Sequence, residues 1–204
     1  MNEKLNHLFP LKLLVSLLPG EVAWEKYAHC FIRMEAPAKT ILLKEGEVSK
    51  KAYMIEQGCV RAWFNNAGKD VTAQFFFENS TVSSLESFKK NIPSLVTIET
   101  LEPCILWYVH KPDFEKIIDE IGNVPALRKG FMDVVFNRTF HYMKHFLSFI
   151  KDSPKQRYLN LVNENPQIIL RVPQHYIASY LGISSVHLSR IKNAIARENK
   201  KRSI

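Results

Sequence analysis

The sequence predicts an α+β protein built as an N-terminal β jelly-roll barrel, one long helix and a C-terminal helix-turn-helix with little room for a wing. Three observations predict it. Short β-branched and aromatic runs broken by turn residues occupy positions 40–110, a long helical pattern follows, and two short amphipathic segments flank Gly182.

The strand candidates are Thr40 to Leu43, Ala52 to Ile55, Cys59 to Phe64, Val71 to Phe77, Leu95 to Leu101 and Ile105 to Val109, punctuated by Gly46, Gly58 and Pro103. In Cys59 to Phe64 and Val71 to Phe77 the side chains alternate between two faces. Asn65-Asn-Ala-Gly68 lies between them and supplies residues that tolerate positive φ, so this pair is expected to be a hairpin. Several short strands at this spacing suit a small antiparallel barrel or jelly roll.

Lys111-Pro-Asp113 then places proline and an acid in a first helical turn, and Phe114, Ile117, Ile118 and Ile121 follow at helical spacing until Gly122. Asn123 is the expected cap of a second helix reaching about Ile150. Its apolar residues, among them Leu127, Phe131, Val134, Val135, Phe140, Tyr142, Phe146 and Phe149, cover more than one stripe. A helix apolar on two sides is buried on two sides. One side is assigned to the barrel and the other to the same helix of a second copy, giving a homodimer; the alternative is a central core helix within one chain. Asp152-Ser-Pro154 restarts the chain with Ser153 as cap, and Asn165-Pro166 ends the helix that follows.

The division expected from these elements is a β domain at 1–122, a dimerisation helix at 123–150 and a helical domain at 151–204. Charge follows it. Residues 1–150 carry 18 Lys and Arg against 17 Asp and Glu, whereas residues 151–204 carry 10 against 3, so the two parts hold +1 and +7 of the net +8. A nearly neutral body with a basic end suits contact with a polyanion, since each cation placed on a phosphate releases counterions; a solvated basic surface explains the charge alone equally well.

Cys30, Cys59 and Cys104 are too few and too widely spaced for a disulfide framework or a zinc motif, and are expected as buried thiols. They also fall short of the four thiolates that typically hold an iron–sulfur cluster. The opening MNEKLNHLFP lacks the pattern of a secretory leader, and no stretch has the apolar length of a membrane span, so a cytoplasmic protein without membrane contact is expected.

The most informative segment runs from Val172 to Ile195. Ile177, Ala178 and Leu181 form the inner face of a first helix, Gly182 permits a left-handed turn, and Ile183 plugs the elbow. Ser184 caps a second helix whose Leu188, Ile191 and Ile195 face inward. Ser185, Val186, His187, Ser189, Arg190, Lys192 and Asn193 are left on the outer or flanking surface, where a recognition helix meets double-stranded DNA. Arg190 suits a guanine edge, and Ser185, His187 and Ser189 suit bases or phosphates. Gln174, at the start of the first helix, is added to this set, with Lys192, Arg197, Lys200, Lys201 and Arg202 expected on phosphate. The alternative is an ordinary helical hairpin with a polar outer face.

In Tyr176-Ile-Ala-Ser-Tyr-Leu-Gly-Ile183 and Leu188-Ser-Arg-Ile191 the chain resembles the Crp/Fnr superfamily of bacterial transcription regulators, particularly its short Bacteroides-type members. Arg157-Tyr158, Gly58 to Phe64 and Glu86-Ser-Phe88 support the resemblance, which spans nearly the whole chain. It implies a cyclic-nucleotide-binding-like jelly roll, a dimerising helix and a homodimer on a two-fold operator. RNA polymerase is a further candidate partner.

Relatives that bind cyclic AMP usually show Gly-Glu-Leu and then Arg-Ser or Arg-Thr around the cyclic phosphate. Val82-Ser83-Ser84 and Pro93-Ser94 stand there in this chain. Without that arginine the phosphate loses its charge partner, so an effector other than cyclic AMP is expected, of unknown identity. Ser83, Ser84, Ser94, Arg138 and Thr139 are the expected effector-pocket residues, the last two by analogy with the helix of the resembling family; an interfacial ion pair is the alternative for Arg138. Related recognition helices also tend to carry an acid near their start, where this chain has Ser185-Val186, so a different operator is expected.

His141 and His145 have the spacing of two metal ligands but no evident third, and no metal is assigned. No phosphate loop, nucleophile elbow or HExxH pair is present, so no catalysis is expected. Two other functional readings stand beside the regulator. One is a small-molecule-binding module that acts through protein partners without DNA, and the other is a constitutive DNA-binding protein whose barrel is only structural.

Overall fold

The computed structural model describes Pro10, Leu13 and residues 24–202. A 3₁₀ turn, Trp24–Cys30, leads into eight strands: β1 Phe31–Ala36, β2 Ile41–Leu43, β3 Lys51–Gln57, β4 Val60–Asn66, β5 Lys69–Phe76, β6 Thr81–Val82, β7 Thr97–Thr100 and β8 Cys104–His110. A short helix α1, Leu85–Lys90, interrupts them between β6 and β7. Then follow α2 Lys111–Gly122, α3 Pro125–Lys151, α4 Pro154–Glu164, α5 Ile168–Arg171, α6 Gln174–Tyr180 and α7 Ser185–Arg202.

The strands form two four-stranded sheets, β1-β8-β3-β6 and β2-β7-β4-β5. β8 pairs antiparallel with both β1 and β3. The expected jelly roll is present, as two facing sheets and not as a closed barrel. Period-two alternation turns Tyr53 and Ile55 of β3 and Leu106 of β8 toward Val60 and Ala62 of β4, Phe76 of β5 and Ile98 of β7, and this intersheet layer is the core. A second apolar cluster sits on the outer side of the first sheet, where Phe31, Met54 and Val109 meet Tyr27, Ile117, Ile121 and Leu127. Cys30, Cys59 and Cys104 are buried and form no disulfide, as expected.

The hairpin expected at residues 65–68 joins β4 and β5. Ala67 and Gly68 have φ of +51° and +82°, a pair of left-handed residues that matches the twist of the flanking strands, and Asn65 Oδ1 accepts the Gly68 N–H at 2.9 Å. The helix starting at Lys111 carries Pro112 in its first turn and buries Ile117 and Ile121. Asn123 does not cap the long helix. It closes α2 instead, its side-chain amide donating to the Asp119 carbonyl at 3.0 Å, and α3 starts two residues later at Pro125. Ser153 caps α4 as expected, accepting the Gln156 N–H at 3.2 Å.

By contacts the chain divides into two compact units, residues 1–62 with 75–141 and residues 63–74 with 142–204. The tip of the β4–β5 hairpin therefore belongs to the second unit. Among the described residues no helix is long and apolar enough to cross a membrane.

Candidate functional site

In the second unit, α6 and α7 are the two expected helices around a glycine turn. Ile177, Ala178, Leu181, Leu188 and Ile191 are all buried between and behind them, and Ile183 and Ile195 are half-buried. Gly182 has φ of +65°, and a Cβ there would lie 2.9 Å from the Phe149 ring, so both backbone and space require glycine. Ser184 Oγ accepts the His187 N–H at 3.2 Å and so caps α7. This cap fixes where the helix starts, and with it which side chains stand outward.

Arg157 braces the same turn. Its guanidinium donates to the Asp152 carbonyl at 2.9 Å and the Leu181 carbonyl at 3.0 Å, and it lies over the Phe149 ring, 4.7 Å from the centroid. Two helix ends are thereby tied to one planar group. Sequence reasoning marked Arg157 through its resemblance but did not assign it this task.

Of the residues expected on DNA, Gln174, Ser185, His187, Ser189, Arg190 and Asn193 are exposed and Lys192 is half-buried. Arg197 is exposed, whereas the side chains of Lys200, Lys201 and Arg202 lie outside the described residues. α7 has no acidic residue in its first turn, leaving the positive end of its dipole uncompensated.

Ser179, unmarked in the sequence reading beyond its place in the resemblance, closes the edge of a sheet. Its hydroxyl donates to the Asp70 carbonyl and accepts the Thr72 N–H, both at 3.0 Å. β5 lies at the end of its sheet, and alternate residues of such a strand point their backbone groups the same way. One hydroxyl thus serves a donor and an acceptor of the same strand edge. No signal in the local sequence foretells this, because the partners are 107 and 109 positions apart.

In the first unit, the segment from β6 to β7 holds the expected effector residues. Ser94 is buried, its hydroxyl lying 2.9 Å from Ser84 Oγ and 2.7 Å from the Val96 carbonyl, and Ser83 is half-buried. Beneath them the buried Ser87 hydroxyl donates to the Ile92 carbonyl at 2.6 Å and accepts the Ser49 N–H at 2.9 Å. Arg138 turns toward these strands, its guanidinium donating to the Thr81 carbonyl at 3.3 Å and lying 5.2 Å from the Phe76 ring centroid. Thr139 is exposed and bonds back to the Val135 carbonyl of its own helix. The fold therefore brings Ser84 and Ser94 together and sets Arg138 against adjacent β6, and Thr139 stands on the open side of α3.

His145 stacks on Tyr180 at 4.4 Å and meets Phe149 edge-on, a packing role. Among the described residues no three His, Cys, Asp or Glu side chains gather as a metal site. Tyr180 is buried, which pushes its hydroxyl well above the usual tyrosine range.

Residues 33–120 match the cyclic nucleotide-binding domain family. No curated protein matches the sequence. Among solved structures the chain is similar to the c-di-GMP-responsive global regulator CLP of Xanthomonas campestris, with 13% identity, 86% of this chain and 91% of that chain covered and a TM-score of 0.68. FixK2 from Bradyrhizobium japonicum gives 15% identity, 83% and 86% coverage and a TM-score of 0.71. A mutant of CooA from Carboxydothermus hydrogenoformans gives 16% identity, 91% and 84% coverage and a TM-score of 0.67. Over most of its length the chain thus has the Crp/Fnr-type fold, and its residues 33–120 match the cyclic nucleotide-binding domain.

Proposed function

We propose that the chain is a cytoplasmic transcription regulator of Crp/Fnr type, a homodimer that binds a two-fold operator in double-stranded DNA through α7. Residues 1–122 are assigned as its sensor domain, 123–150 as the dimerisation helix and 151–204 as the DNA-binding domain. The observation that carries this reading is the outward side of α7, where Ser185, His187, Ser189, Arg190 and Asn193 stand exposed on a helix whose start is fixed by Ser184. They lie in the segment that holds +7 of the net charge. RNA polymerase is a candidate further partner of the DNA-bound dimer.

The exposed stripe of α3 supports the dimer. Met132, Phe136, Met143, Phe146 and Ile150 are each at least 41% exposed and recur at steps of four, seven, three and four residues, the spacing of a helix seam. For the effector, Ser83, Ser84, Ser94 and Arg138 are the assigned pocket residues. The Ser94 hydroxyl is already engaged by neighbouring groups and the β6–β7 segment contributes no arginine, which favours an effector other than cyclic AMP.

Gel shift and footprinting on DNA upstream of the chain's own gene test the reading. A protected two-fold site is expected, and Arg190→Ala should lower specific affinity by ~10- to 100-fold while changing nonspecific binding by less than ~2-fold. Absence of DNA affinity even at low salt overturns the proposal and favours a module that acts through protein partners.

A further inference from the structure

The outward face of α7 carries an apolar residue at its centre. Successive helical residues are turned by roughly 100°, which sets Val186 roughly 170° around the axis from the midpoint of buried Leu188 and Ile191. Val186 is 62% exposed. Arg190, Asn193 and Arg197 follow it on the same face, one, two and three turns on, and Ser189 flanks them.

Nothing in the helix itself explains a valine there. A β-branched side chain is a weak helix former, and a first turn with an open positive dipole is better served by an acid or by serine. The side chain makes no contribution to the hairpin core, whose buried members are Leu188 and Ile191 on the opposite side. What an exposed valine offers is an apolar surface held rigidly by one strongly preferred rotamer. In the major groove the base feature that matches it is the thymine C5 methyl, since the other groups displayed there are hydrogen-bond donors and acceptors.

Building on the proposed DNA-binding role, we infer that Val186 is a specificity-determining residue that reads a thymine methyl in each half-site, one helical turn before the base contact of Arg190. Four residues of helix rise about 6 Å and successive base pairs about 3.4 Å, so the thymine and the guanine read by Arg190 lie within about two base pairs of each other. The valine also accounts for an operator different from those read by an acid at the helix start: an acid accepts a hydrogen bond from cytosine, and valine cannot.

The test uses the full-length protein and single-atom-group changes in the DNA. An operator is first selected from a random duplex library, and each of its thymines is then replaced by uracil, which lacks only the methyl group. One thymine per half-site is expected to lose about four-fold in affinity on replacement, and 5-methylcytosine opposite guanine at that position should bind better than cytosine. In Val186→Ser the thymine and uracil operators should bind equally, while the thermal midpoint stays that of the unaltered protein because the side chain is exposed. Equal affinity of the unaltered protein for every uracil-substituted operator overturns the inference and leaves the proposed function standing, as does an unchanged thymine preference in Val186→Ser. A selection that yields no sequence preference overturns the proposed function and this inference together.

Discussion

The Arg61 guanidinium meets the Glu99 carboxylate at 2.8 and 2.9 Å, with the two residues 1% and 6% exposed. Removing one partner takes from the other its buried counter-charge in a medium that solvates it poorly. Glu99→Ala is therefore expected to lower stability by about 3–5 kcal/mol, and a double replacement by Met and Leu to restore most of the loss; denaturant unfolding reads both. If Glu99→Ala costs no more than an exposed substitution, the pair is not held as described. Tyr53 is the second case. Burial, with Tyr108 nearby, pushes its hydroxyl up to about 12 from 10.0, and it donates to the Leu42 carbonyl at 3.1 Å. The raised pKa means the native state keeps its proton while the unfolded chain releases it, so stability is full below pH 10 and falls between pH 10 and about 12. Tyr53→Phe should flatten that decline by up to about 2.5 kcal/mol in alkaline unfolding curves, and an identical slope in both proteins would remove Tyr53 as its cause. The sequence shows Arg61 inside an alternating strand, but its pairing with Glu99, 38 residues away, follows from strand order and register, which local pattern does not contain.

Among elements, the hairpin, α2, α4 and the α6–α7 pair were legible because each is bounded by local signals: Asn65 to Gly68, Pro112, Ser153 with Pro154, and Gly182 with Ser184. β1 carries no comparable local signal. Its burial is irregular, with Phe31 and Ala36 buried at the ends and Arg33 and Glu35 exposed between, so alternation is weak. α1 and α5, of six and four residues, are shorter than any periodicity can register. The element most informative about tertiary decisions is β5, whose edge is closed by Ser179. Ser179→Ala removes one hydrogen bond from the Thr72 N–H and one from the Asp70 carbonyl in a place where Thr72 is 3% exposed, and should cost about 1–3 kcal/mol. Hydrogen exchange gives a local reading: faster exchange at Thr72 is expected, and unchanged protection there would show that another group fills the edge.

For the whole molecule, the decisive surface is the stripe on α3. Phe136→Glu with Met143→Glu should convert the proposed dimer into a monomer, with at least ~100-fold weaker self-association by sedimentation and unchanged secondary structure, because both side chains are exposed in the single chain. A wild-type protein that stays monomeric at tens of micromolar would dismiss the dimer. The order and type of most elements, the glycine turn with its serine cap, and the concentration of positive charge in the last quarter of the chain are written locally in the residues, since all of these are properties of neighbours along the chain. That the strands form two sheets and not a closed barrel, that Arg61 meets Glu99, and that the hairpin tip at 63–74 groups with residues 142–204 follow from long-range packing. The physical reason is that these outcomes depend on contact energies between residues far apart in the chain, which become definite only when the chain has closed its loops and packed its core.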